Sequence, residues 1–326
     1  MKSEHQSVST SKPLLMILTS HRLDCLKIAM ELLFKSDNLQ EFERVVFLLN
    51  GVSGAHLEYV KRIMRDHREV VWDSIAGPRG RSECISSLEN KCVEKYPDRV
   101  YMKIDEDVFV PSGWARRMMD AYRAHAADEN LALISPLIPN NAFGLHALVT
   151  KIYPERLVEF RRLFGEDPTP ATDGLTWRRP DVAEWATRLF LDVEATNTSH
   201  RRHMAEKGLA PYERFTDRFS IGCICFDYRH WKKMGGVPAK DEPEWCGWIE
   251  SHGQFNVLDR TQIVLHYSFF VQQDWLDRST LLEDLRLVNL PDTLRGKTLS
   301  GYHFPRWARL AEQAPRVIKR RLGLET

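Results

Sequence analysis

Residues 100–107 read VYMKIDED, an apolar run that ends in three consecutive acids, Asp105, Glu106 and Asp107. Short continuous apolar runs of this kind are typical of parallel strands that are buried on both faces. Three similar runs precede this one, and segments with helical spacing of apolar residues separate them. This alternation predicts an α/β fold built on a doubly wound, mostly parallel sheet. The predicted strands are residues 14–19, 45–49, 70–72 and 100–104, and the predicted helices are residues 23–34, 56–67 and 82–96.

The rest of the chain departs from this regular alternation after one more predicted strand, residues 131–138. Helical spacing at 154–164 and 181–207, on either side of a proline-containing loop, predicts a helical insertion or lid. Strand character returns at 219–226 and again at 262–270. We therefore divide the chain into a disordered N-terminus (1–13), a first sheet half (14–138), an insertion (139–218), a second sheet half (219–275) and a helical C-terminal extension (276–326) with an amphipathic tail.

Composition excludes several classes of protein. The chain has 326 residues, 43% of them hydrophobic and 28% charged, with a formal net charge of +1. This is ordinary for a globular enzyme, and the balanced charge disfavours a nucleic-acid partner without excluding one. The six cysteines are scattered without a CxxC pair, the N-terminus lacks signal-peptide character, and no apolar run reaches the roughly 20 residues of a membrane span. We expect a cytoplasmic protein.

The acidic triplet is the strongest chemical signal in the chain. Ligands of doubly wound sheets bind beyond the carboxyl ends of the strands, which is where Asp105 and Asp107 follow the fourth strand. Alternate side chains of an extended segment face the same way, so these two carboxylates can converge on a hard divalent cation. A solvated acidic turn, with Asp107 capping the segment that follows, is the alternative.

Five segments occur in the order seen in GT-A glycosyltransferases, and the chain most resembles the family 2 type over roughly residues 14–270. The resemblance implies a Rossmann-like GT-A fold in which the triplet is the DxD motif. It also implies Mn²⁺ or Mg²⁺ as cofactor, a UDP- or GDP-sugar as donor, donor binding by residues 14–138, and acceptor binding and catalysis by residues 219–275. The segments are LLMILTSHR (14–22), VVFLLNG (45–51), YMKIDEDVFV (101–110), MGGVPAKDEPEW (234–245) and IVLHYS (263–268).

The resemblance also implies roles for particular residues. His266 would join Asp105 and Asp107 as a metal ligand, although a lone histidine after an apolar run is often structural. Ser20 is equally suited to capping a helix, and Arg81 lies in a basic turn, residues 77–81, that suits an anion. The residues expected to bind the nucleotide sugar are Thr19, Ser20, Arg22, Asn50, Arg81, Asp105 and Glu106.

The segment around residues 241–244 is where the family places its general base, a carboxylate that accepts the proton of the acceptor hydroxyl. Glu242 is the expected base and Glu244 its close competitor, while Asp241 stays open. These acids would otherwise complement the N-terminus of the helix that follows. Trp245 and Trp248 share a face of that helix and are expected either to stack on an acceptor sugar or to pack in the core.

The resulting hypothesis is an inverting, metal-dependent glycosyltransferase that acts in glycan or surface-polysaccharide assembly. A lipid-linked glycan acceptor would suit the basic amphipathic tail, residues 304–322, which either contacts the inner face of a membrane or packs on the domain. A retaining mechanism, a protein or nucleic-acid acceptor, and a catalytically inactive binding module stay open. A nucleotidyltransferase is disfavoured, because LTSHRLD (18–24) lacks the glycines of a phosphate loop.

Overall fold

The computed structural model describes residues 12–170, 173–216 and 218–290. An eight-stranded sheet forms the centre, with strand order β3-β2-β1-β4-β8-β6-β9-β7, and β10 pairs separately with β5. The strands are β1 Leu14–Thr19, β2 Arg44–Asn50, β3 Trp72–Gly77, β4 Val100–Asp105, β5 Val108–Phe109, β6 Leu131–Leu137, β7 Tyr212–Phe215, β8 Cys223–Asp227, β9 Phe255–Ile263 and β10 Leu265–His266.

Six strands of the large sheet run parallel, and only β8 and β7 run against them. The predicted α/β fold with a mostly parallel sheet is therefore confirmed. The helices are α1 Leu23–Lys35, α2 Gly54–Asp66, α3 Ser82–Lys95, α4 Trp114–His125, α5 Ala142–His146, α6 Glu155–Phe164, α7 Leu175–Arg178, α8 Pro180–Arg188, α9 Val193–Glu206, α10 Tyr228–Met234, α11 Glu242–Ser251, α12 Gln273–Leu276 and α13 Leu281–Asn289, with short 3-10 and π turns at Asn38–Glu41 and Ala147–Ile152.

Both faces of the sheet are covered by apolar cores. In β1, Leu14, Met16 and Leu18 pack into one hydrophobic cluster, whereas Leu15 and Ile17 pack into the other. Successive side chains of a strand point to opposite faces, so this alternation shows one core on each side. It also explains why the strand reads as an unbroken apolar run.

The parallel strands end at one edge of the sheet. Leu18 is in register with Asp105, Thr19 with Leu49, and Asn50 with Gly77. The polar residues that follow separate strands in the sequence are thereby brought to one edge.

Two sequence expectations need correction. The last predicted strand, 262–270, is displaced. β9 begins earlier, at Phe255, and the extended segment is interrupted at Val264 before the short strand β10. Residues 139–218 are mainly helical but end in β7, which pairs with β9 at the edge of the sheet. Isolated apolar residues on a short edge strand carry little periodic signal, so β7 was missed.

The terminal predictions fall largely outside the described residues. This applies to the N-terminus before residue 12 and to the amphipathic tail at 304–322. Among the helices of the described part of the chain, none combines the length and apolar character that a membrane span requires.

Candidate metal centre and active site

The predicted metal ligands come together at the edge of the sheet. β4 ends on Asp105, Asp107 precedes β5, and β10 pairs antiparallel with β5 so that His266 lies opposite Val108. One ligand atom from each of Asp105, Asp107 and His266 lies within 4.8 Å of the others. The antiparallel pairing of β5 with β10, which are 158 residues apart in the chain at Val108 and His266, therefore brings the third candidate ligand to the two aspartates.

The chemistry and space at this point fit a divalent cation. Two carboxylates and an imidazole form a donor set that Mn²⁺ accepts. Nδ1 of His266 is buried without a hydrogen-bond partner, while Nε2 lies 3.1 Å from Oδ1 of Asp107. Gly222, just before β8, keeps the site open: a Cβ there would lie 2.9 Å from Cε1 of His266 and 3.3 Å from Oδ2 of Asp105.

Asp107 and His266 stabilise each other's charge. Burial disfavours the ionised form of each side chain, but their mutual attraction and hydrogen bond prevail. The pKa of Asp107 is accordingly lowered and the pKa of His266 is raised. To bind a cation, His266 would have to present an unprotonated ring nitrogen.

Lys103 supports the ligand group from inside the sheet. Its fully buried Nζ lies 2.9 Å from Oδ1 of Asp105 and 3.5 Å from Oε1 of Glu89, and it donates a hydrogen bond to the carbonyl of Ile221 at 3.0 Å. Burial alone would lower the pKa of Lys103, but Asp105 and Glu89 outweigh it and the pKa is raised. Sequence reasoning missed this residue, although a lysine within an apolar strand was a visible signal.

Glu106 organises the loop between β1 and α1. One carboxylate oxygen accepts backbone N–H groups of Ser20, His21 and Arg22 at 2.9–3.1 Å, and the other accepts the hydroxyl of Thr19 at 2.6 Å. Both Glu106 and Thr19 are buried. These contacts favour a role for the two side chains in holding the loop, with any ligand contact falling to the loop itself.

Asn50 organises the second loop, which connects β3 to α3. The side-chain amide of Asn50 donates to the backbone carbonyl of Gly80 at 2.8 Å and accepts the backbone N–H of Gly80 at 3.0 Å. The backbone carbonyl of Asn50 accepts the hydroxyl of Ser20 at 3.1 Å. Asn50 is thus paired with protein backbone on both sides of its amide. It connects the two loops that were expected to bind the nucleotide.

The two arginines of the predicted donor site occupy different settings. Arg81 is exposed at the start of α3, with its guanidinium 5.3 Å from the centre of the Phe270 ring. Arg22 is buried, pairs with Asp24 and Asp277, and lies against the ring of Tyr267. Of these two arginines, Arg81 is the one with an accessible guanidinium.

The three acids before and within α11 are clearly distinguished by their contacts. Glu242 is ion-paired with Arg218 and accepts the N–H of Ile221 at 3.3 Å. Glu244 is partly exposed and accepts the N–H of Lys240 at 3.0 Å.

Asp241 differs from both glutamates. Its Oδ1 is buried without a partner, its side chain makes no capping hydrogen bond, and its φ of 57° is unusual for a residue other than glycine. Burial, reinforced by Asp105 and opposed by Lys103, raises its pKa to about 6. A strained, unpaired carboxylate beside metal ligands is a common feature of functional sites.

Of the two alternatives for Trp245, acceptor stacking and core packing, its position in the fold favours core packing. Its side chain is fully buried, and its indole N–H donates to Nε2 of His230 at 2.8 Å. Trp248 stacks on His252 and meets His230 edge-on, which makes it part of the same packing. Helical spacing placed both residues on one face, but that face is turned toward the core.

Sequence comparison finds no matching family model and no matching curated protein. Comparison with solved structures finds the mannosyltransferase PcManGT from Pyrobaculum calidifontis with GDP-Man and Mn²⁺ (12% identity, TM-score 0.48, 94% of this chain and 80% of that one). It also finds GalNAc-T7 with UDP, GalNAc and Mn²⁺ (11%, 0.48, 79% and 44%) and S. aureus TarS 1-349 (11%, 0.31, 39% and 35%). Identities at this level do not define a substrate, so function has to be inferred from the site.

Proposed function

We propose that this protein is a metal-dependent glycosyltransferase that moves a sugar from a nucleoside-diphosphate sugar to an acceptor hydroxyl. The observation that carries the proposal is the convergence of Asp105, Asp107 and His266 at the carboxyl edge of the sheet. An unpaired, buried carboxylate, Asp241, is electrostatically coupled to the same group. Cation ligands beside a candidate base are the two elements that sugar transfer from a diphosphate requires.

Asp105, Asp107 and His266 would hold Mn²⁺ or Mg²⁺. When bound, the cation neutralises the charge that develops on the departing diphosphate. Lys103 holds Asp105 from within the sheet, so the carboxylate is positioned before the cation arrives. Such positioning lowers the cost of organising the ligands during binding.

The two loops at the sheet edge are suited to the nucleotide. The loop of Ser20–Arg22 is fixed by Glu106, and the loop of Gly77–Arg81 is fixed by Asn50. Arg81 stands at the N-terminus of α3, where the helix dipole and its free N–H groups add to the positive charge. This arrangement favours an anionic, phosphate-bearing donor, either a UDP- or a GDP-sugar.

Asp241 is the base that the geometry favours. A sugar hydroxyl is a weak nucleophile until a carboxylate accepts its proton during attack. Glu242 is held by Arg218, and Glu244 is paired with Lys240, whereas Asp241 has an oxygen free to accept. A pKa of about 6 keeps Asp241 ionised at neutral pH and makes it a stronger base than an ordinary aspartate.

Direct displacement assisted by one base inverts the anomeric centre, so we propose an inverting transferase. A glycan acceptor of surface-polysaccharide assembly, free or lipid-linked, belongs to the same proposal. The stereochemistry of the product, read from the anomeric proton coupling in an NMR spectrum, separates it from a retaining mechanism.

A donor panel tests the proposal. Full-length protein with Mn²⁺ is incubated with UDP- and GDP-sugars, and release of the nucleotide is followed. Hydrolysis or transfer from at least one donor is expected, with loss of that activity in Asp107→Asn. Asp120→Asn, an acid exposed on α4, serves as the matched control and should match wild type. Nucleotide release that is equal in the wild type and Asp107→Asn would refute the proposed site.

A further inference from the structure

Two partly exposed aromatic residues meet beside the metal ligands. Trp177 belongs to α7 of the insertion, and Phe269 lies in the loop after β10. Their ring centres are 4.9 Å apart, and the ring of Phe269 lies 4.3 Å from that of His266. We call Trp177 and Phe269 the aromatic platform.

The platform also reaches the helix that follows the candidate base. The guanidinium of Arg218 lies 5.7 Å from the centre of the Trp177 ring, and the same guanidinium is paired with Glu242. The chain of contacts therefore runs from the metal ligand His266 through both aromatic rings to the first residue of α11. Asp241 immediately precedes that residue, so the platform connects the cation ligands with the candidate base.

A buried pair of amides holds the platform in place. Gln272 accepts the N–H of Phe269 at 3.2 Å and donates to the carbonyl of Thr176, the neighbour of Trp177, at 3.0 Å. Asn140 donates to Gln272 at 3.0 Å and to the carbonyl of His266 at 2.8 Å. Asn140 and Gln272 are both fully buried. One hydrogen-bonded pair thus fixes the backbone at both platform residues and at the metal ligand, which is the support a preorganised site requires.

We propose that the aromatic platform binds the apolar face of a pyranose ring in the acceptor, an inference that rests on the proposed glycosyl transfer. Aromatic rings offer a large, rigid apolar surface that matches the C–H face of a sugar. Arg218, whose side chain is partly exposed beside Trp177, supplies N–H donors for ring hydroxyls. Because the contacts of the platform run through Arg218 to Glu242, next to the candidate base Asp241, we assign it to the acceptor.

Saturation-transfer-difference NMR on the full-length protein tests this without a donor. The probes are the methyl glycosides of α-mannose, β-glucose, β-galactose and β-N-acetylglucosamine, each at millimolar concentration. Stacking predicts strongest saturation on the axial C–H protons of one ring face, a signature that a purely structural role for Trp177 does not produce. Trp177→Ala should raise the Kd of the bound probe about tenfold, because it removes the aromatic contact.

Two variants control this experiment. Trp177→Phe retains an aromatic face and should restore binding to within about threefold of wild type, since most of the stacking surface persists. Trp275→Ala removes a half-exposed indole of α12 that bonds to Glu184 and touches neither platform ring, so it should bind like wild type. Unchanged binding in Trp177→Ala would overturn the inference. So would loss of binding in Trp177→Phe alongside Trp177→Ala, or absence of saturation for all four probes with wild type.

The experiments can refute the acceptor role of the platform and the proposed glycosyl transfer independently. If wild type hydrolyses a donor and Trp177→Ala binds the glycosides normally, only the platform is refuted. If the glycosides bind through Trp177 and no donor is hydrolysed, the transferase proposal is refuted and the sugar site remains. A change in Kd for UDP or GDP in Trp177→Ala would assign the platform to the donor and overturn its acceptor role.

Discussion

Replacing Gly222 with alanine should weaken Mn²⁺ binding much more than it weakens the fold. The new Cβ would lie 2.9 Å from Cε1 and 3.0 Å from Nδ1 of His266, and 3.3 Å from Oδ2 of Asp105. Without a cation neither side chain is held by a ligand bond, and Asp105, which is partly exposed, can move away. With a cation bound, both are held by their ligand bonds, so the metal-bound state takes most of the strain.

The magnitude follows from these distances. Ordinary van der Waals contact begins near 3.4 Å, so the imidazole must move by roughly half an ångström. Metal–ligand distances tolerate only about 0.2 Å, which the required movement exceeds. Overpacking of this kind costs about 1–3 kcal/mol. If the bound state carries the whole cost, the Kd for Mn²⁺ rises about 5- to 150-fold.

Titration of metal-free protein by electron paramagnetic resonance measures the free Mn²⁺ and gives the Kd directly. Thermal melting without metal reports the effect on the fold. Gly247→Ala is the matched control. Gly247 is solvent-exposed in the middle of α11, and a Cβ there would meet nothing within 4 Å. This variant should bind Mn²⁺ like wild type and be stabilised by about 0.5–1 kcal/mol, because alanine is the better helix former.

A double-mutant cycle identifies the source of the strain. His266→Ala removes the two closest atoms, so adding Gly222→Ala to it should lower the melting temperature less than Gly222→Ala does in the wild type. Mn²⁺ affinity in Gly222→Ala within twofold of wild type would refute the proposed steric contact. Equal losses of stability in both backgrounds would show that the strain lies elsewhere than at His266.

Three further predictions follow from the contacts in the site. Asp241→Asn should lower the transfer rate about 10²–10⁴-fold. In the wild type, kcat/KM should fall as the pH drops through about 6, because the protonated carboxyl of Asp241 cannot accept a proton. A transfer rate unchanged by the substitution would exclude Asp241 as the base. Asn50→Ala removes two hydrogen bonds to Gly80, so the donor Kd should rise by a factor equivalent to about 1–3 kcal/mol in isothermal titration; an unaltered Kd would dissociate this loop from the donor. Glu106→Gln should lower the free energy of unfolding in urea by about 1.5–3 kcal/mol. Glu58→Gln on the surface should leave this free energy unchanged. Equal free energies of unfolding in the two variants would contradict the role of Glu106 in holding the loop.

The candidate metal centre could be predicted from the sequence because it depends largely on local patterns. Asp105 and Asp107 directly follow a buried strand, and parallel strands place their carboxyl ends at one edge. His266 was found through the order of motifs, and the pairing of β10 with β5 brings it to the other two ligands. The sequence did not indicate that Glu106 would bond Thr19 and the loop after β1. Nor did it indicate that the side chain of Asn50 would bond Gly80 in the loop after β3.

The proposed acceptor half could not be inferred from the sequence, because it depends on which side chains are buried in the folded protein. Helical spacing placed Trp245 and Trp248 on one face, but the spacing does not say whether that face meets solvent or core. Trp177 lies in the insertion and is linked to His266 through the ring of Phe269.

By itself the sequence determined the α/β class, the alternation of strand and helix over residues 14–104, and the acids at the strand end, because adjacent residues carry the periodicity of a buried strand. Tertiary structure alone decided that Asp241, of the three acids near α11, has an unpaired oxygen, that Gly222 leaves room beside His266, and that Trp177 of the insertion contacts Phe269. Each of these depends on contacts between segments far apart in the chain. Their hydrogen bonds and desolvation exist only after the chain has folded.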